Sequence, residues 1–145
     1  IGLSTGFLEP EPDTTLTIPA TADGIVSVGA YQVSNDVAAS FSGRGDTADG
    51  RRAPTLVAPG VDVVTAAPGG RYVARTGTSI ASPFVAGAAA LIMEWGIVQG
   101  NDPYLYGEKV KAYLMKGARR LPGQESVPDK KAGWGALCLA ASLPK

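Results

Sequence analysis

The residues best placed to do chemistry are the hydroxyl side chains of Thr76-Gly77-Thr78-Ser79 and the run after them, Ile80-Ala81-Ser82-Pro83-Phe84-Val85-Ala86-Gly87-Ala88-Ala89-Ala90-Leu91. Thr78 is a good N-cap, and the residues from Ser79 to about Trp95 are mostly helix formers and apolar groups. The pattern therefore predicts a helix starting at Ser79. A serine in that first turn lies where unpaired backbone N–H groups and the positive end of the helix dipole favour an anion. Acyl transfer needs this, because the attacked carbonyl oxygen becomes negatively charged. Gly77 is expected to let backbone and substrate approach closely. Pro83 has no N–H for the Ser79 carbonyl and is expected to distort the first turn. The plainer alternative is a buried helix with an incidental cap serine.

A serine hydroxyl is a poor nucleophile without a base to take its proton, and the sequence contains no histidine. Lys109, Lys111 and Lys116 offer a Ser-Lys dyad, but they fall on the outside of an amphipathic pattern and are expected to be exposed. The sequence thus predicts that the base belongs to polypeptide outside these 145 residues.

Stepping outward from Ser79, the run Phe84–Met93 is apolar on all sides and rich in Ala and Gly, which predicts a helix enclosed by protein. Its ten residues fall short of the roughly 20 that span a bilayer, so no membrane segment is expected. Upstream, Ile25-Val26-Ser27-Val28-Gly29-Ala30 reads as a strand, with Leu16–Ile18 as a shorter one. Thr55–Thr65 reads as a strand, a Pro59-Gly60 turn and a second strand. Pro68-Gly69-Gly70 is a further turn, and Arg71–Arg75 runs extended into the nucleophile loop. Asn101-Asp102-Pro103 reads as a cap with proline in the first helical position, followed by Val110, Tyr113 and Leu114 at helical spacing. The acidic, proline-interrupted Glu9–Asp13 predicts an exposed loop, so residues 1–17 read as a leading loop or insertion stub before a unit at 18–145.

At 45% apolar content the chain can bury one core. Thirteen basic and thirteen acidic residues cancel, and no like-charge run exceeds two, so neither nucleic acid nor an anionic membrane surface is expected as a partner. Cys138 is the one cysteine and reads as a small buried hydrophobe. Arg44-Gly45-Asp46 reads as an ordinary surface turn. No acidic cluster with ligand spacing is evident, so no metal and no cofactor are expected.

The sixteen residues Thr76–Leu91 resemble the serine motif of the subtilases, the subtilisin-like serine proteases. In that motif Gly-Thr-Ser, an apolar pair, Ser/Ala-Pro and Val-Ala-Gly follow in this order. Phe84 departs from it, since many members carry a non-catalytic histidine there. Val57-Ala58-Pro59-Gly60 resembles the family's Val-Ala-Pro-Gly turn, with Pro59 twenty residues before Ser79. Pro19-Ala20 before the first strand, Ala39-Ser40-Phe41-Ser42 and Gly133-Trp134-Gly135 extend the likeness to nearly everything from Ile18 to Ala141. The resemblance implies an α/β fold, a parallel sheet covered by helices, present here as the C-terminal part of a catalytic domain. It implies Ser79 as nucleophile of an Asp-His-Ser triad whose other members come from an N-terminal part. One oxyanion donor would be the Ser79 N–H and a second an upstream asparagine side chain. It also places Thr17 near the base of the pocket for the substrate residue preceding the scissile bond. Partners so implied are the N-terminal part, a protein or peptide substrate and a propeptide.

A narrower resemblance rests on Met93-Glu94-Trp95-Gly96-Ile97-Val98, Gly100-Asn101-Asp102-Pro103, Leu105–Lys111 and Gly133–Cys138. These look like the Csp-type subtilases of spore-forming bacteria, germination proteases that activate a cortex-degrading hydrolase. The implied location is extracytoplasmic or spore-associated. The competing reading is a pseudoprotease, a subtilase-shaped binding or sensing module without the aspartate or histidine.

Overall fold

The computed structural model describes residues 9–144; the part of the leading segment at residues 1–8 lies outside them. Seven strands and three α-helices follow in the order β1 (Val28–Gln32), β2 (Val37–Ala38), β3 (Gly45–Asp46), β4 (Arg52–Ala53), β5 (Leu56–Pro59), β6 (Val63–Ala67), β7 (Arg71–Arg75), α1 (Thr78–Met93), α2 (Gly107–Gly117) and α3 (Leu139–Ser142).

The centre is the parallel pair β1 and β5, in register from Val28 opposite Leu56 to Tyr31 opposite Pro59, with β2 antiparallel on the outer edge of β1. Apolar on both faces, these two strands are what a doubly covered parallel sheet requires. The C-terminal segment completes the free edge of β5: the Val57 N–H donates to the Gly135 carbonyl and the Leu137 N–H to the Val57 carbonyl. One face of the sheet packs on the helices, burying Ala30, Leu56 and Ala58 with Ala81, Val85, Ala88, Ile92, Val110 and Leu114. The other face, Tyr31 and Val57, is covered by Leu121, Ala132 and Ala136 from the irregular C-terminal loop.

Ser27 and Thr55 lock β1 to β5 where the pairing begins. The Thr55 N–H donates to Ser27 Oγ at 2.9 Å, the Ser27 N–H to Thr55 Oγ1 at 3.1 Å, and the two hydroxyls lie 3.2 Å apart, all buried. Thr55→Val keeps the shape but strands the Ser27 amide. Leaving a buried donor unmade costs about 1–3 kcal/mol. The expected result is a lower urea midpoint with an unchanged slope, largely restored by Thr55→Ser.

Several sequence-based expectations shift. The first strand starts at Val28 rather than Ile25, because β5 offers no ladder partner before Leu56. Leu16–Ile18 is not a strand. The chain just before it is tied at Thr15, whose N–H donates to the Arg44 carbonyl while its Oγ1 accepts from the Arg44 N–H. The second large helix begins at Gly107, after Tyr106, not at Pro103. Asp102 is used elsewhere: it accepts from Lys109 Nζ at 2.7 Å and from the Tyr113 hydroxyl at 3.2 Å. Gly45 and Asp46 of the Arg-Gly-Asp tripeptide form a short ladder with Arg52 and Ala53.

The largest departure concerns α1. Ala81, Val85, Ala88 and Ile92 form one buried stripe, whereas Phe84 is 43%, Leu91 48% and Met93 47% exposed. Within the described residues α1 is therefore packed along one face, not enclosed. Past Met93 it continues as a π-helical segment, Glu94–Val98, where Gly96 packs on Leu105 and its carbonyl accepts from the Asp102 N–H. The helical stretch Thr78–Val98 thus has 21 residues, with a mean hydropathy of 1.5 over an 18-residue window, long and apolar enough by length and composition to cross a membrane. The ten-residue length argument does not hold. The packed stripe on β1 and β5 is what marks α1 as a core helix of this domain.

Candidate active site

The nucleophile loop stands at the carboxyl ends of the parallel strands, where open α/β sheets bind their ligands. The chain leaves β5 through the Pro59-Gly60 turn, forms the β6–β7 hairpin, and returns through Thr76 and Gly77 into α1. The Gly60 N–H donates to the Tyr31 carbonyl at the end of β1, and the Gly77 N–H donates to the Gly60 carbonyl at 2.8 Å. Gly60 has no room for a side chain, since a Cβ there would lie 2.6 Å from that of Ala30 and 3.0 Å from the Gly77 carbonyl oxygen. Thr76 fastens the loop sideways: its Oγ1 accepts the Asp62 N–H at 3.0 Å and donates to the Asp62 carboxylate at 3.3 Å.

At the helix start the structure corrects one assignment. Gly77, not Thr78, occupies the cap position, and Thr78 is the first helical residue with no side-chain cap hydrogen bond. Gly77 has φ 156° and ψ 157°, a region open to glycine alone in practice. Its carbonyl accepts from the Ile80 and Ala81 N–H groups at 3.0 and 3.3 Å. The Thr78 and Ser79 amides make no hydrogen bond to the described residues, so the Ser79 N–H is a free donor at the positive end of α1. Ser79 itself is exposed. Pro83 lies inside α1, four residues after Ser79, and the helix continues through it to Met93.

Thr17 is exposed and lines a cleft of about 280 Å³ together with Leu16, Ala20, Val28, Phe41 and Thr78. The cleft thus brings Thr17 to the residue next to Ser79, which the spacing of 62 residues could not show. A larger cavity of about 340 Å³ lies between β2 and the Leu121–Ala132 loop and includes none of the expected site residues.

Two of the three lysines of the Ser-Lys alternative are engaged elsewhere. Lys109 is held by Asp102, whose hydrogen bond keeps its ammonium above the usual lysine range, the reverse of what a neutral general base requires. Lys111 donates to the Ile25 carbonyl at 2.7 Å, and Lys116 lies exposed in the last turn of α2. Gly60 and Asp62 were not foreseen as supports of the site, and Thr76 was read in the motif without its role of holding Asp62. The Pro-Gly turn twenty residues ahead of Ser79 was the available signal for the first and the start of the serine motif for Thr76; nothing local marked Asp62.

Fold and site together define an open α/β domain with an exposed serine at the carboxyl edge of its parallel strands. The model of the subtilase family, peptidase S8, matches residues 6–135, and the chain belongs to that family. Among its relatives, serine protease AprX of Bacillus subtilis (strain 168) is 32% identical over 92% of this chain and 33% of its own length. Subtilisin E from the same strain is 45% identical over 61% of the chain and 23% of its own length. The solved structure of the Clostridium perfringens CspB protease superposes with a TM-score of 0.90 at 43% identity, covering 95% of this chain and 29% of that one. The prenylagaramide maturation protease PagA superposes at 0.71 with 28% identity, over 90% and 46%. The chain spans a third or less of the length of these curated relatives.

Proposed function

We propose that this chain is the serine-bearing part of a subtilisin-like endopeptidase of the Csp type, which cleaves a protein substrate through an acyl-enzyme. The observation that carries the reading is an exposed Ser79 with its own unpaired N–H at the start of α1. Ser79 Oγ attacks the scissile carbonyl. A histidine of an N-terminal part takes the Oγ proton and returns it to the leaving amine, and an aspartate of the same part orients that histidine. The developing oxyanion is held by the Ser79 N–H and by an asparagine side chain from the N-terminal part. The cleft with Thr17 and Thr78 receives the substrate side chain preceding the scissile bond. That N-terminal part also covers Phe84, Leu91 and Met93, giving α1 the enclosure its sequence predicts. The germination role, activation of a spore-cortex hydrolase, is supported by the 43% identity to CspB over nearly the whole chain.

The test is a fluorophosphonate probe. The complete protein is expected to be labelled at Ser79 and its Ser79→Ala variant not at all, while the 145-residue chain by itself stays unlabelled because it has no base. Labelling of the chain alone would overturn the divided-triad reading, and an unreactive complete protein would favour a pseudoprotease.

A further inference from the structure

From Val63 to Met93 the chain holds two charged side chains, Arg71 and Arg75, both cationic. They lie on β7, the strand that feeds directly into the nucleophile loop. Both are exposed, and neither has a carboxylate within ion-pair distance among the described residues. Arg44, Arg51, Arg52, Lys109, Arg119 and Lys130 are all paired. The nearest acid in the chain is Asp62, beside Val63, which faces Arg75 in the hairpin. Its carboxylate accepts from Thr76, not from the arginine.

The ladder sets Arg75 opposite Val63 and Arg71 opposite Ala67, so both arginines project from one face of the hairpin, four residues apart along β7. Arg75 is four residues from Ser79, at most about 14 Å of chain, and the turn at Gly77 shortens that. An extended substrate advances about 3.4 Å per residue. The Arg75 backbone thus lies within the length of about four extended substrate residues from Ser79.

We propose that Arg75, reinforced by Arg71, selects peptide substrates that carry a glutamate or aspartate within three residues of the scissile bond. This rests on the reading of Ser79 as nucleophile. A guanidinium offers a planar pair of donors that matches a carboxylate, and two unpaired cations attract acidic segments before contact.

The test uses the complete protease and a peptide series with Glu, Gln or Lys placed singly at each of three positions on either side of the cleaved bond. At one position kcat/KM should follow Glu over Gln over Lys, with a span of roughly tenfold at low salt, the scale of exposed ion pairs acting together. The span should shrink at high salt, Arg75→Glu should invert the order, and Arg71→Gln should narrow it. Equal rates at every position would overturn the proposal, as would a preference that Arg75→Glu leaves in place. The same labelled peptides are also bound to the Ser79→Ala protein and read by fluorescence anisotropy. A Glu-over-Lys preference in binding that Arg75→Glu inverts supports the proposal even if no peptide is cut; its absence overturns it. Failure of both cleavage and fluorophosphonate labelling counts against the nucleophile alone.

Discussion

Ser79→Ala in the complete protein is expected to lower kcat by about a millionfold, the loss that removal of the nucleophile causes in subtilisin itself. The size follows from the chemistry: without Oγ no acyl-enzyme forms, and what is left is the stabilisation that the remaining oxyanion donors and substrate binding give to direct attack by water. Substrate affinity should change little, because the exposed Ser79 has no hydrogen bond to lose to the described residues. Stability should stay within about 0.5 kcal/mol, as for an exposed substitution away from any buried partner. Single-turnover kinetics with a peptide substrate and a thermal melt on one preparation separate these outcomes. A loss below a hundredfold would mean that another group supplies the nucleophile.

Gly77→Ala is expected to have the second-largest effect and to act through the backbone alone. There is room for the methyl group, since the nearest atom to a Cβ at that position is the Ser79 nitrogen at 3.9 Å. The obstacle is φ 156°, ψ 157°, where a side chain costs on the order of 1–3 kcal/mol. Relaxing that strain turns the peptide that anchors the loop to Gly60 and caps the first turn, and so re-aims the Ser79 N–H. Losing one oxyanion donor costs about 100- to 1000-fold in kcat. The expected signature is therefore a large fall in kcat, a nearly constant KM and a melting temperature lower by several degrees. A variant that melts lower but keeps its kcat would place the Ser79 amide outside the oxyanion site.

The contrast between these positions shows what was legible in advance. The serine, its place at a helix start and its neighbours Gly77, Thr78 and Pro83 could be read because helix signals are local and the motif is contiguous. The exchange of roles between Gly77 and Thr78 was hidden: a threonine before a helix suits a side-chain cap, and here the carbonyl of Gly77 does that work. The start of α2 was misplaced because Asn101-Asp102-Pro103 carries the right letters for a cap, while Asp102 is drawn to Lys109 and Tyr113 instead. Its carboxyl is held below the usual aspartate range, chiefly by the Lys109 hydrogen bond.

The sequence by itself determined that a serine begins an apolar helix, that no histidine accompanies it, and that two apolar runs upstream are strands. Those facts follow from residue type and short-range spacing, which act before the chain is folded. Only the tertiary structure decided that Gly60 carries the nucleophile loop on the end of β1, that Thr17 shares a cleft with Thr78, and that α1 buries a single stripe. Such outcomes depend on which backbone donors and apolar surfaces meet across tens of residues, and local preference contains no record of those meetings.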